Sequence, residues 1–185
     1  MTNIFIIHGA YGNPEENWFP WLKVELEKIN CKVFIPEFPT PENQSLTTWL
    51  NVFEEYNQYV DENSIFVGHS LGPAFILNIL EKIEKPVKAC FFASGWIGLL
   101  GNPYFDKINK TLVDKKFDWR IIKQNCKKFF IFYSDNDPYV SLKKSEELSR
   151  NLGTEAILVK NAGHFNKETG YSKFELLLKE IKNSL

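Results

Sequence analysis

Gly68-His69-Ser70-Leu71-Gly72 constrains this chain more than any other stretch, because such a pentapeptide fits one kind of place in a fold. It follows the apolar run Ser64-Ile65-Phe66-Val67 and precedes Pro73-Ala74-Phe75-Ile76-Leu77, which reads as a helix. Strand, Gly-x-Ser-x-Gly and helix together make the nucleophile-elbow pattern. The pattern asks for a serine on a sharp turn, in strained backbone that lifts its hydroxyl clear of the sheet. Glycines on either side keep side chains out of the gap where strand and helix nearly touch. The new helix then aims free N–H groups and its positive dipole end at the place where an oxyanion would form. The pentapeptide alone is common, so its weight comes from the strand before, the helix after and suitable partners downstream.

The rest of the chain supplies a setting for such an elbow. Ile4-Phe5-Ile6-Ile7 is a short continuous apolar run, as expected of a parallel strand covered on both faces. It ends in the Gly-rich loop His8-Gly9-Ala10-Tyr11-Gly12-Asn13-Pro14. A helix with Pro20 in its first turn follows, with Trp21, Leu22, Leu26 and Ile29 along one face. Lys32 to Ile35 is the second strand, and Leu46, Trp49, Leu50, Phe53 and Val60 mark a helix that Ser45 or Thr47 would cap. The third strand carries the elbow, and its helix is expected to run to about Ile83. Val87–Ala93, Phe129–Tyr133 and Ala156–Val159 read as strands four, five and six. Helices are expected over Trp119–Cys126, through Leu142, Ser145, Leu148 and Leu152, and along Phe174, Leu177, Leu178, Ile181 and Leu185. Residues 99–118 show aromatics but poor periodicity. Alternating strands and helices with short connections predict one α/β domain over residues 1–185, with about six mainly parallel strands and helices on both faces.

In such sheets ligands bind beyond the carboxyl ends of the strands. His8, His69, His164 and the pair Asp135/Asp137 all fall just after predicted strands, so every reactive candidate is delivered to one edge. A serine hydroxyl is a poor nucleophile until a base takes its proton, and a carboxylate must hold that base in the right tautomer. The order Ser70, then Asp135 or Asp137, then His164 matches that requirement. His164 is favoured as base, because its loop can swing a side chain over the elbow. Asp137 is favoured over Asp135 as acid because Pro138-Tyr139-Val140 would fix its carboxylate, leaving Asp135 to brace the turn. The backbone N–H groups of Leu71 and Ala10 are the expected oxyanion hole. Tyr11, Trp18 and Trp96 are candidates for pocket walls and Phe19 is open between wall and core, although an aromatic beside a strand end is more often core. His8 and His69 are expected to be structural.

A net charge of −1 gives no electrostatic case for nucleic acid or an anionic membrane surface as partner. No segment reads as a signal peptide or a membrane span. Three cysteines without metal-ligand spacing argue against disulfides and zinc and fit a reducing cytoplasm. No metal or cofactor motif competes with the serine reading, so no cofactor is expected.

At these residues the chain resembles an α/β-hydrolase, and more narrowly the small serine hydrolases of the retinoblastoma-binding protein 9 and YdeN type. The resemblance covers nearly the whole chain. It rests on His8-Gly9 with Asn17-Trp18-Phe19-Pro20-Trp21-Leu22, on Gly68–Gly72, on Ser134-Asp135-Asn136-Asp137-Pro138-Tyr139-Val140, and on Ala162-Gly163-His164-Phe165. It implies a Ser70, Asp137 and His164 triad on a hydrolase core without a large cap domain. Pro73 stands where a second small residue is more usual, and no Leu-x-Cys-x-Glu motif occurs, so no pocket-protein partner is implied. The expected activity is hydrolysis of small carboxylic esters through an acyl-Ser70 intermediate, at an open site suited to short acyl groups. Amidase, peptidase and thioesterase chemistry would use the same residues, and a non-catalytic binding protein could keep the same fold.

Overall fold

Along β1 (Asn3–Ile7) successive side chains enter opposite layers: Ile4 and Ile6 join one core, Phe5 and Ile7 the other. The alternation repeats in β3 (Ile65–His69) and β4 (Ala89–Ala93), where Phe66, Cys90 and Phe92 pack on one side and Ile65, Val67 and Phe91 on the other. A strand buried on both faces needs helices above and below. The computed structural model describes residues 1–185 and supplies them.

With β2 (Lys32–Phe34), β5 (Phe129–Tyr133) and β6 (Ala156–Leu158), the six strands form one sheet in the order β2-β1-β3-β4-β5-β6, and every pairing is parallel. Helices α1 (Phe19–Glu27) and α7 (Glu175–Ser184) cover one face. The other face is covered by α2 (Leu46–Glu54), α3 (Gly72–Leu80), α4 (Pro103–Val113), α5 (Trp119–Gln124) and α6 (Leu142–Leu152). The chain runs from β1 outward to β2, then returns past β1 to β3. The strand order therefore reverses between β1 and β3, and the crevice beyond their carboxyl ends is where such sheets hold ligands.

Several boundaries differ from the sequence expectation. The elbow helix stops at Leu80 rather than near Ile83, because Asn125 Nδ2 donates to the carbonyls of Leu80 and Ile83 at 2.8 and 2.9 Å and closes its end. Helix α2 ends at Glu54, and a single 3₁₀ turn (Asn57–Tyr59) separates it from Val60. Its cap is Ser45, whose Oγ accepts from the Thr48 amide while Thr48 Oγ1 accepts from the Ser45 amide, both at 3.1 Å. Leu185 lies past the last helix and is 42% exposed rather than on its buried face. The unreadable stretch 99–118 contains α4, started by Asn102, whose side chain accepts from the amides of Tyr104 and Phe105.

Candidate active site

Ser70 follows β3 directly and has φ +58°, left-handed backbone that a non-glycine residue adopts at a cost of about 1–3 kcal/mol. The turn leaves no room beside it. A Cβ at Gly72 would stand 2.3 Å from the Ile7 carbonyl oxygen, and one at Gly68 would stand 2.7 Å from the Pro73 nitrogen. Pro73 is accommodated in the first turn of α3, where no intrahelical N–H is lost. Gly9, across the crevice, is equally constrained: its Cβ would lie 2.7 Å from Ser70 Cβ and 3.0 Å from Oγ.

The histidine arrives on the loop after β6, and the polar run after β5 holds that loop by its backbone. The amides of Asn161, Ala162 and Gly163 donate in turn to Asp135 Oδ1, Ser134 Oγ and Asn136 Oδ1, at 2.7, 2.9 and 2.8 Å. From the other side His69 Nε2 donates to the His164 carbonyl at 2.7 Å, and Trp18 Nε1 to the Phe165 carbonyl at 2.9 Å. His164 Nε2 thus stands 2.9 Å from Ser70 Oγ, and its Nδ1 lies 2.9 and 3.0 Å from the two oxygens of Asp137. Asp135 is engaged elsewhere, bracing the loop.

The Asp137 side chain is almost wholly buried, 2% exposed. Its Oδ1 accepts from the amides of Tyr139 and Val140 at 2.9 and 3.0 Å, and its Oδ2 from Ser94 Oγ at 2.5 Å. Burial alone would raise its pKa. The hydrogen bond and charge of His164, with the Ser94 and Val140 donors, outweigh burial and leave it below the ordinary carboxylate value. Burial disfavours the charged form of both His8 and His69. Burial lowers His69 to about 3, helped by neighbouring His164. Burial also lowers His8, against a backbone hydrogen bond that raises it; its Nδ1 donates to Gly9 O at 2.8 Å while Nε2 accepts from the Phe38 amide at 3.0 Å.

Ser70 and His164 sit at the base of a cleft of about 670 Å³, open enough that Ser70 is partly exposed. Ala10, Tyr11 and Trp96 line it, joined by Leu100 and Phe105 from the stretch that the sequence left unread. Tyr11 Oη donates to Tyr104 Oη at 2.6 Å, a bond that pushes the Tyr11 hydroxyl up to about 12. Trp18 is the exception. It is fully buried, and its indole is spent on the Phe165 carbonyl, so it braces the histidine loop instead of walling the cleft; its neighbour Phe19 reaches the cleft in its place. The amides of Leu71 and Ala10 have no backbone acceptor within the protein. No three His, Cys, Asp or Glu side chains converge as a metal site requires. Sequence reasoning missed Ser94 and the loop-holding roles of Ser134 and Asn136. Their only signal was position, just past the ends of β4 and β5.

A parallel sheet of this order, with a serine on the tight turn between β3 and α3, is the α/β-hydrolase architecture. Within that class the chain belongs to the serine hydrolase family, whose profile matches residues 4–183. It is 27% identical over 176 residues to YdeN of Bacillus subtilis (strain 168), covering 94% of this chain and 91% of that protein. It is 25% identical over 187 residues to the serine hydrolase RBBP9 of Rattus norvegicus, covering 100% of this chain and 96% of the relative. The crystal structure of the B. subtilis ydeN gene product matches with a TM-score of 0.92 at 25% identity, covering 100% of this chain and 98% of that one.

Proposed function

We propose that this serine hydrolase is a carboxylesterase acting on small-molecule esters, with Ser70 as nucleophile, His164 as base and then acid, and Asp137 as the group that orients it. The observation that carries the reading is the unbroken hydrogen-bond chain from Ser70 Oγ through both His164 nitrogens to Asp137. With Nδ1–H given to Asp137, Nε2 presents a lone pair to the serine hydroxyl. As Oγ attacks the carbonyl carbon, its proton passes to Nε2 and the carbonyl becomes an oxyanion. The free amides of Leu71 and Ala10 would receive that charge. The bond to the leaving oxygen breaks, His164 gives its proton to the departing alkoxide, and an acyl-Ser70 remains. Water then repeats the sequence, delivering its proton to His164, and the acid is released with Ser70 restored.

An ester is favoured over an amide because an alkoxide needs less help from an acid to depart than an amine does. Three buried free thiols support a reducing cytoplasm as the compartment. No helix is long and apolar enough to cross a membrane. The test is labelling by a fluorophosphonate probe of wild type, Ser70→Ala and His164→Ala, each shown to be folded. Labelling of wild type alone is expected. A folded wild type that does not label would sink the hydrolytic reading and favour a binding protein on this fold.

A further inference from the structure

We propose that Ser94 is a positioning residue for this site: its hydroxyl, given to Oδ2 of Asp137, fixes the carboxylate that orients His164. The inference rests on the Ser70–His164–Asp137 reading above. Ser94 follows β4 as Ser70 follows β3, and it shares the same strain, with φ +50°. Two neighbouring strands therefore end in serines held in left-handed backbone, and strain of this kind persists where surrounding structure enforces it.

That enforcement is visible. The Ser94 amide donates to the Phe132 carbonyl of β5 at 3.0 Å, and a Cβ at the following Gly95 would stand 2.8 Å from the Pro73 ring. Glycine would adopt this backbone freely, so what serine adds is its hydroxyl. The residue is 1% exposed, and Asp137 is its side chain's hydrogen-bond partner. Asp137 Oδ1 already has two amide donors, whereas Oδ2 has Ser94 and the shared His164 ring. Without Ser94, Oδ2 would lose its one donor besides His164, and the carboxylate would be anchored through Oδ1 alone.

Loss of that donor also makes the carboxylate more basic, so it holds the protonated form of His164 more firmly. The titratable rings packed against His164 are His69, neutral with its ring 5.0 Å away, and Tyr139, edge-on at 4.9 Å, while Glu15, Glu16, Lys167 and Glu168 line the same cleft. The acid limb of the reactivity profile should therefore move to higher pH.

The experiment measures the second-order rate of fluorophosphonate labelling against pH for wild type, Ser94→Gly and Ser94→Ala, with thermal melting of each. Both variants are expected to label about ten-fold more slowly at neutral pH. Their acid limb should rise by about half a pH unit. Ser94→Gly is expected to melt no lower than Ser94→Ala, since only alanine keeps the strain. A role in folding alone predicts the reverse: altered melting with labelling rate and pH profile intact. A Ser94→Gly protein that labels like wild type across the pH range overturns the proposal. Should one variant fail to fold, the other is read in the same way, together with the downfield proton resonance of His164 Nδ1–H. A shift of that resonance is expected, and an unchanged one counts against the proposal. A wild type that never labels sinks the parent reading; a labelled wild type with indifferent variants sinks this one alone.

Discussion

Asp137 is a carboxylate in a nearly dry place, and the donors around it determine that it stays ionised. Asparagine at this position keeps the shape and loses the charge. It would also offer an N–H to Nδ1, favouring the tautomer in which Nε2 cannot take the serine proton. Asp137→Asn should therefore lower kcat on an activated acetate ester by about 10³–10⁴-fold while the fold persists. Steady-state kinetics on protein with an intact melting transition would check it, and a loss below ten-fold would contradict the assigned role. His69 makes a different prediction. Its folded pKa, about 3, lies below the ordinary 6.5, so between these values the unfolded chain binds a proton that the folded chain refuses. Stability must then rise with pH across that window and be lost as pH falls from about 6.5 toward 3. His8 is lowered as well and adds to the slope. Melting temperature should fall between pH 7 and pH 5, and His69→Gln, which can still donate to the His164 carbonyl, should flatten the fall without abolishing it. An equally steep profile in that variant would place the effect elsewhere.

At the scale of elements, legibility followed the source of each element's stability. Strands β1, β3 and β4 were readable because each is buried on both faces and so reads as a short apolar run, and Ser70, Asp137 and His164 were readable because each lies just past the end of a strand. Helix α4 was not. Its buried positions are Asn109, Leu112 and Val113, too few and too late to show a face, and much of its attachment is polar. Gln44 Nε2 donates to the Ile108 carbonyl at 3.0 Å and to Asn109 Oδ1 at 2.7 Å, and the Leu46 amide donates to Thr111 Oγ1 at 2.9 Å. Such partners lie about sixty residues away in sequence, where no local pattern reaches. Trp18 misled for a related reason: a loop aromatic beside a strand end looks alike whether its indole faces a cleft or a distant carbonyl. Because α4 carries Phe105 into the cleft wall while none of its side chains hydrogen-bonds Ser70, His164 or Asp137, loosening it should affect binding more than chemistry. Gln44→Ala is expected to raise KM about three- to ten-fold with kcat nearly unchanged. A matched fall in kcat would show that α4 supports the reacting groups themselves.

The whole molecule sets what the cleft can take. The reversal of strand order between β1 and β3 opens the crevice, and the two cores on either face of the sheet hold its floor rigid. Its walls are unlike. Tyr11, Trp96, Leu100 and Phe105 make one side apolar, while Glu16, Lys167 and Glu168 keep another polar and wet. A long acyl chain needs a continuous apolar groove, since each methylene removed from water contributes about 0.8 kcal/mol and each one left against a charged wall contributes little. A cleft of about 670 Å³ with one apolar side should reward the first few methylenes and then stop. In a series of p-nitrophenyl esters, whose leaving group is constant, kcat/KM should therefore rise or hold from acetate to butyrate and fall by hexanoate to octanoate. Widening the wall with Phe105→Ala should move that optimum toward longer chains. A wild-type optimum at decanoate or beyond would mean that the α4 wall moves aside in solution to extend the apolar side, and the rigid-cleft account would then be wrong.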